Sequence, residues 1–429
     1  MRYAPIANSL FTENRKRFAA KMKPKSIAVF NANDIQPTNA DGTMKFRQNN
    51  DLFYLSGVDQ EETILVVFPD CPDPDHREVL FVRETNEHIA VWEGEKLTKA
   101  QATEVSGIKK VYWAHQFKQV FFGLIVEADN VYLNTNEHVR AVIEVETREA
   151  RFINWCKATY PAHTYLRSAP ILTELRAIKS KAEVELIQKA CDLTEKGLRR
   201  ILGFVKPGVW EYEIEAELAH EFIRAGAGFA GYEPIIASGG NSCVLHYNIN
   251  DKQCKDGDVL LLDFAAGYAN YQSDLTRTIP VNGKFTKRQK SVYNAVLKVM
   301  RYAMSRLVVG NNIKDYHNEV GAAMEEELLK LRLITKTDIK KQDPAWPAYK
   351  KYFMHGTSHY LGLDVHDVGS RYRKFTEGMI FTCEPGIYIP EEKIGVRIEN
   401  DILLTKKGPV DLMKNIPIEA DEIEALMKK

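Results

Sequence analysis

The chain has 429 residues, and its 58 lysine and arginine residues are matched by 58 aspartate and glutamate residues. This balance excludes the strong overall field that draws a protein to nucleic acid or to an anionic membrane, so we expect neither as a partner. Hydrophobic residues make up 45% of the chain and charged residues 27%, which is ordinary for a globular protein and excludes a disordered class.

The first part of the chain alternates strand-like with helix-like segments. Strands are predicted at SIAVF, TILVVFP, EVLFV and NVYLN, and helices at TKAQATEVSG and over residues 137–150. This alternation predicts a mixed α/β domain, and the prolines of YPAHTYLRSAP indicate its end near residue 170. The predicted domains are residues 1–172 and 173–429.

A different pattern begins at Ser180, which has the capping-box spacing to Glu183 and precedes an apolar helical stripe that Pro207 ends. Two more long helices are predicted, over 286–309 and 314–333. Strands are predicted over 258–266, 271–281, 377–389 and 394–405. Helix pairs that alternate with strand pairs predict an α+β domain with a largely antiparallel sheet.

Two aspartates bracket the stretch DFAAGYANYQSD. If GYAN is a four-residue hairpin loop, Asp263 lies opposite Asp274, with Cβ atoms about 5 Å apart. Two ionised carboxylates so close in the apolar setting of VLLLDFAA repel each other, and a cation between them removes the repulsion. The competing interpretation is that one aspartate caps the turn and the other faces water.

Two further glutamates lie in strand-like runs. Glu384 closes the apolar run MIFTCE, and alternation in GVRIENDILLT puts Arg397 and Glu399 on one face. Each glutamate alone is explained as well by a solvated or salt-bridged strand residue.

Histidines are dense in HGTSHYLGLDVHD, which holds His355, His359 and His366. Gly356 stands where the zinc-protease motif H-E-x-x-H requires glutamate, so that motif is excluded. The glycines of this stretch indicate a bent strand or turn. His246 in SCVLHYN is a further candidate, for which a hydrogen-bonded core histidine is the competing interpretation.

In their order along the chain, these stretches resemble the motifs of the metal-dependent aminopeptidase P and prolidase family. The resemblance covers the chain from about residue 175 onwards, and NADGTMKFRQNNDLFYLSG is similar to an N-terminal segment of bacterial aminopeptidase P. It implies an α+β fold, in which a smaller mixed α/β domain precedes a C-terminal pita-bread domain of the kind shared with methionine aminopeptidase. The serine of HGTSH resembles aminopeptidase P more than prolidase, and Asn400 departs from the acidic residue common after the last ligand.

The resemblance also implies the roles of individual residues. The implied metal ligands, of which Asp274 and Glu399 bridge two ions, are Asp263, Asp274, His359, Glu384 and Glu399. The implied catalytic residues are Glu384, which passes a proton, together with His246, His355, His366 and Arg397. The implied substrate contacts are Asp41, Tyr388 and Trp92, the last from a neighbouring subunit. Four carboxylates and one imidazole suit Mn(II) and admit Co(II), Zn(II) or Fe(II), and the resemblance favours manganese.

By this resemblance the protein is expected to be an Xaa-Pro aminopeptidase that cleaves proline-containing peptides with a hydroxide held between two divalent ions. A homodimer or homotetramer is expected. Because the N-terminus lacks an apolar signal region and the six cysteines are scattered, we also expect a cytoplasmic protein. Prolidase is the first alternative, a non-catalytic peptide-binding module of the same fold is the second, and methionine aminopeptidase is less favoured.

Overall fold

The computed structural model describes residues 3–141 and 144–428. They form two compact units: residues 4–176 form the first, and residues 177–428 together with Tyr3 form the second. Among the described residues, no helix combines the length and the apolar character needed to cross a membrane.

The first unit is built around one mixed sheet, whose strands lie in the order β4-β3-β2-β1-β5-β6. Its elements are α1 (Ser9–Ala19), β1 (Ser26–Asn31), α2 (Asn50–Ser56), β2 (Ile64–Val67), β3 (Glu78–Val82), α3 (Glu87–Glu93), α4 (Lys99–Ser106), β4 (Lys110–Trp113), α5 (Phe117–Ile125), β5 (Asn130–Leu133), α6 (Arg148–Thr159), β6 (Thr164–Arg167) and α7 (Ala169–Ala177). The predicted boundary at 172/173 lies inside α7, so the predicted and observed divisions differ by four residues.

The predicted strands of this unit are confirmed as β1, β2, β3 and β5, and the first predicted helix is confirmed as α4. The helix predicted over 137–150 is wrong, because α6 begins only at Arg148. The Thr147 side chain accepts a hydrogen bond from the Ala150 N–H and so caps the helix at that point. Upstream, the His138 N–H donates to the Asn136 side chain, which forms a local turn instead of a helix. Residues 142–143 of the predicted helix lie outside the described residues.

The second unit combines long helices with short antiparallel strands. Its elements are α8 (Lys181–Phe204), α9 (Glu211–Arg224), β7 (Gly228–Phe229), β8 (Ile235–Ser238), β9 (Val259–Asp263), β10 (Ala266–Tyr268), β11 (Tyr271–Gln272), β12 (Thr276–Pro280), α10 (Lys287–Arg306), α11 (Ile313–Lys330), α12 (Lys336–Lys341), β13 (Ile380–Cys383), β14 (Gly386–Ile389), β15 (Ile394–Arg397), β16 (Asn400–Thr405), β17 (Gly408–Asp411) and α13 (Ala420–Met427). The strand groups are β11-β10-β7, β12-β9-β8, β13-β16-β17 and β14-β15.

The helix predictions for this unit agree with the structure. Ser180 caps α8 in a reciprocal capping box with Glu183, and the helix ends at Phe204, before Pro207. The two later helices are α10 and α11, each of which ends three residues earlier than predicted. The pairing of all these strands is antiparallel, as the sequence predicts.

Each of the four long predicted strands is divided in two in the structure. The observed pairs are β9 with β10, β11 with β12, β13 with β14, and β15 with β16. At each break the chain leaves one group of strands and pairs in another: β13 pairs with β16, whereas β14 pairs with β15. Asp274, Glu384 and Glu399 lie in three of these breaks, and Asp263 lies immediately before the fourth. A residue in a break is released from the regular alternation of a strand, so its side chain can point to a common centre.

The predicted register of the hairpin at GYAN is wrong. Tyr268 pairs with Tyr271, which leaves a loop of two residues, Ala269 and Asn270, both with positive φ. Two-residue turns of this kind match the twist of the flanking strands, which favours them over the predicted four-residue loop. As a result, Asp263 lies opposite Thr276, and Asp274 lies in the break two residues before Thr276.

Candidate metal centre

The two aspartates meet at a tyrosine hydroxyl despite the shifted register. The Tyr232 hydroxyl lies 2.8 Å from Asp263 Oδ1 and 2.6 Å from Asp274 Oδ1. A hydroxyl has one hydrogen, which it can donate to only one of these oxygens at a time. This contact therefore offsets only part of the repulsion between the two carboxylates.

Three further side chains converge on Asp274. One ligand atom from each of Asp274, His359 and Glu399 lies within 4.8 Å of the others. His359 Nε2 lies 3.5 Å from Asp274 Oδ2 and 3.5 Å from Glu384 Oε1. The five residues implied as ligands therefore gather in one place, although they come from four separate stretches of the chain.

Buried hydroxyls hold the glutamates in position. Thr276 Oγ1 donates to Glu399 Oε2 at 2.6 Å and accepts from Arg397 Nε at 3.0 Å, so Arg397 and Glu399 lie on one side as predicted. Thr382 Oγ1 donates to Glu384 Oε1 at 3.2 Å. These contacts fix the direction of each carboxylate before any ligand binds.

A series of hydrogen bonds begins at Arg397 and runs along one edge of the cluster. Its guanidinium contacts Asp263 Oδ2 at 2.5 Å and donates to the Tyr388 hydroxyl at 2.9 Å. That hydroxyl lies 2.8 Å from His355 Nε2, while His355 Nδ1 lies 2.8 Å from the Gly356 carbonyl oxygen. Because a carbonyl only accepts, Nδ1 carries the hydrogen and Nε2 accepts from Tyr388 in the neutral ring.

The pKa values in this cluster reflect crowded negative charge away from water. Burial, followed by the charges of Asp274, Glu384 and Asp263, raises the pKa of Glu399 well above its usual range. Burial raises the pKa of Glu384 to about 7, against the opposing effects of His359 and Arg397. Burial lowers the pKa of His355 to about 3. Burial also lowers the pKa of His359, but a hydrogen bond to Asp274 and the charge of Glu384 have the larger effect. Together they raise the pKa of His359 to about 9.

This donor set fits divalent cations. Four largely buried carboxylates carry more negative charge than the guanidinium of Arg397 can offset, and the raised pKa of His359 indicates that the cluster favours added positive charge. Carboxylate oxygens with one imidazole suit hard or borderline divalent ions. Asp263, Asp274, His359, Glu384 and Glu399 are therefore the residues that could hold metal.

The other predicted site residues are more exposed. The His366 ring lies against that of His359, with centroids 4.3 Å apart, and its residue is exposed. His246 is exposed in a turn, and its charge contributes to the lowered pKa of His355. Asp41 and Trp92 belong to the first unit, in which both are exposed, so the substrate-binding roles of these two residues stay predictions.

The sequence analysis missed four residues that contact this cluster, namely Tyr232, Thr276, Thr382 and Asp401. The Asp401 carboxylate accepts a hydrogen bond from the Asp274 N–H at 3.0 Å. Burial, together with the charge of Asp274, raises the pKa of Asp401 well above its usual range. Asp401 shares the predicted face of Glu399, so strand alternation could have indicated it, whereas no local pattern distinguishes Tyr232.

Replacing Thr276 by Val is expected to lower kcat roughly tenfold, because Glu399 and Arg397 both lose the hydroxyl that orients them. The valine retains the shape of the buried side chain, but two buried polar groups lose a partner, so the free energy of unfolding is expected to fall by roughly 1–3 kcal/mol. Steady-state hydrolysis of an Xaa-Pro tripeptide measures the effect. Thr376→Val is the matched control, since the Thr376 hydroxyl has no hydrogen-bond partner among the described residues. Equal loss in both variants would contradict an orienting role for Thr276.

Comparison with known proteins agrees with the two-unit fold. Residues 185–406 match the model of metallopeptidase family M24, and residues 11–132 match the aminopeptidase P N-terminal domain. The chain is 34% identical to Xaa-Pro aminopeptidase of Escherichia coli, covering 98% of both chains. It is 30% identical to human Xaa-Pro aminopeptidase 3, covering 99% of this chain and 85% of that protein.

Solved structures of similar proteins superpose on nearly the whole of this chain. Aminopeptidase from Pseudomonas aeruginosa superposes with a TM-score of 0.89 at 32% identity, covering 99% of this chain and 98% of that one. An E. coli aminopeptidase P variant in complex with substrate superposes with a TM-score of 0.88 at 32% identity, covering 99% of each chain. These matches confirm the predicted fold class, an α+β protein with a C-terminal pita-bread domain after a smaller α/β domain. The chain therefore belongs to metallopeptidase family M24.

Proposed function

We propose that the protein is an Xaa-Pro aminopeptidase, which hydrolyses the bond between the first residue of a peptide and a proline that follows it. The observation that carries this proposal is the convergence of Asp263, Asp274, His359, Glu384 and Glu399, in a chain similar along its whole length to Xaa-Pro aminopeptidases. A bond before proline has no amide N–H, so an enzyme that cleaves it cannot rely on that hydrogen bond.

We assign two divalent ions, with manganese favoured, to these five residues, with Asp274 and Glu399 shared between the ions. Bound ions of this kind lower the pKa of water and polarise a carbonyl oxygen, which supplies the nucleophile for hydrolysis. The oxygen-rich donor set supports manganese. A structure of E. coli aminopeptidase P, similar to this chain at 32% identity, is described as zinc-substituted and in complex with product, which supports the assignment of divalent metal.

The protein's own groups orient the peptide and move the proton. Glu384 is assigned the proton transfer to the departing proline nitrogen, and the Thr382 hydroxyl holds its Oε1 in place. Hydrogen bonds that run from Arg397 through Tyr388 fix the His355 ring beside Glu384, with His355 Nδ1 at 3.7 Å from Glu384 Oε2. Burial keeps this ring neutral by lowering its pKa. His246 and His366 are assigned to substrate contact from the exposed side.

Assembly and location belong to the same proposal. Trp92 and Val91 are 78% and 80% exposed on α3, which supports a homodimer or homotetramer in which Trp92 reaches a neighbouring subunit's substrate. Asp41 is assigned to recognition of the free amino group of the peptide. All six cysteines are free, which supports a cytoplasmic location.

Prolidase activity is the less favoured alternative, because the full-length relatives described above are Xaa-Pro aminopeptidases. A non-catalytic binding module is disfavoured because each of the five implied metal ligands is present and the five gather in one place.

Hydrolysis of three peptides by metal-depleted protein, with and without added Mn(II), tests the proposed function. We expect manganese-dependent release of alanine from Ala-Pro-Ala, with at least roughly tenfold lower kcat/KM for Ala-Ala-Ala and for the dipeptide Ala-Pro. Cleavage of Ala-Pro alone would establish prolidase activity instead. Equal activity before and after chelation, with metal removal verified by elemental analysis, would contradict the metal-dependent mechanism.

A further inference from the structure

A cavity of about 490 Å³ lies in the second unit, between the start of α11 and the segment 356–358. Its walls are formed by Ile313, Lys314, Tyr316, His317, Asn318, Gly356, Thr357, Ser358, Arg371 and Tyr372. This volume accommodates one or two amino-acid residues of a peptide.

The cavity has two cationic side chains and no acidic one in its walls. Lys314 and Arg371 are both exposed, and neither forms an ion pair within the described ranges. The nearest acidic neighbour in sequence, Asp315, accepts a hydrogen bond from the Asn312 side chain at 2.6 Å and is not part of the walls. Two uncompensated cations beside a concave surface attract an anion, and guanidinium geometry suits a carboxylate.

The cavity wall is joined through the backbone to residues of the candidate metal centre. The segment 356–358 joins His355 to His359, and the Thr357 carbonyl oxygen accepts a hydrogen bond from the Glu384 N–H at 2.9 Å. The Thr357 hydroxyl lies 2.8 Å from His317 Nδ1, which ties the same segment to α11. Because Glu384 is assigned to protonate the departing nitrogen, this backbone contact supports a position for the leaving part of the peptide near this wall.

We propose that this cavity binds a carboxylate carried by the leaving part of the peptide, and that Lys314 and Arg371 thereby favour substrates with a carboxylate soon after proline. The inference rests on the proposed Xaa-Pro aminopeptidase function. A leaving Pro-Xaa unit spans about 7 Å, which brings either its C-terminal carboxylate or an acidic side chain at its second residue within reach of the cavity. Both sources offer the same group to the two cations.

Three tripeptides separate the sources, using the manganese-loaded full-length enzyme. They are Ala-Pro-Ala, Ala-Pro-Ala amide and Ala-Pro-Asp amide. We expect a kcat/KM that is about five-fold to tenfold higher for a carboxylate-bearing peptide than for the neutral amide, since partly exposed ion pairs contribute modestly. Preference for Ala-Pro-Ala assigns the cavity to the C-terminal carboxylate, and preference for Ala-Pro-Asp amide assigns it to the side chain.

The double variant Lys314→Gln/Arg371→Gln is expected to hydrolyse all three peptides with similar kcat/KM. Arg371→Lys keeps the charge and is expected to retain a smaller preference, because lysine lacks the planar fork of arginine. The matched control, Lys336→Gln/Arg224→Gln, changes two exposed cations outside the cavity and is expected to keep the full preference.

Equal kcat/KM for all three peptides in the wild-type enzyme would overturn the carboxylate site while leaving the Xaa-Pro aminopeptidase function intact. A preference that persists in the Lys314→Gln/Arg371→Gln variant would also overturn it. Failure to hydrolyse any of the three peptides would contradict the proposed function itself.

Discussion

Asp274→Asn is expected to remove metal-dependent hydrolysis, with kcat lowered by roughly three orders of magnitude or more. The Asp274 carboxylate lies between its neighbours, 2.6 Å from the Tyr232 hydroxyl and 3.5 Å from His359 Nε2. The asparagine side chain offers one neutral oxygen in place of two charged ones, so it would hold the proposed cations less tightly. Elemental analysis after dialysis is expected to show less than the wild-type amount of bound manganese.

The same substitution is expected to leave the metal-free protein as stable as the wild type or to stabilise it. Burial raises the pKa values of Asp263, Glu384 and Glu399, and the charge of Asp274 raises them further, so removal of that charge relieves repulsion in the absence of metal. Urea unfolding of both metal-free proteins measures this, with Asp421→Asn as a control at an aspartate whose side chain is 87% exposed. Wild-type manganese content and activity in Asp274→Asn would refute the shared ligand, and a large loss of stability would show that the side chain is needed for folding.

Arg277→Met is expected to lower the free energy of unfolding by roughly 3–5 kcal/mol, the largest stability effect that we predict. Arg277 is completely buried on β12. Its guanidinium donates to the carbonyl oxygens of Thr276, Glu399 and Pro417 at 2.7–2.9 Å, and to Asn400 Oδ1 at 2.7 Å. Methionine fills a similar volume but leaves these buried acceptors without a donor.

Urea denaturation of the metal-free protein, followed by circular dichroism, measures the predicted loss. Arg277→Lys keeps the charge without the planar fork, so an intermediate loss is expected. Arg224→Met, at an exposed arginine on α9, controls for the removal of a positive charge. A midpoint for Arg277→Met within experimental error of the wild type would contradict the role of this network.

The Arg277 network also accounts for the unusual asparagine that follows Glu399. Asn400 accepts from Arg277 with its oxygen and donates to Asp411 Oδ2 at 2.8 Å with its nitrogen. An acidic residue at this position could accept from Arg277 but could not donate to Asp411. The two contacts of Asn400 therefore explain how an asparagine fits at this position.

Local sequence patterns were sufficient for much of the architecture. The apolar runs predicted β1, β2, β3 and β5, and the Ser180–Glu183 spacing predicted the start of α8, because these features depend on neighbours a few residues apart. The resemblance to the aminopeptidase P and prolidase family implied which acidic residues and histidines belong together. The predicted helix over 137–150 failed because the cap at Thr147 and side-chain hydrogen bonds in the turn competed with helical propensity.

The tertiary structure alone decided how those residues meet. A continuous strand would alternate its side chains between two faces, but β13 and β14 choose different partners, and the break between them frees Glu384 from the ladder. The register that places Asp263 opposite Thr276 depends on a two-residue turn, and the contact of Tyr232 with both aspartates joins residues more than 30 positions apart. The sequence determined which groups were available, whereas long-range pairing and packing determined their distances, because those energies depend on partners that no local pattern specifies.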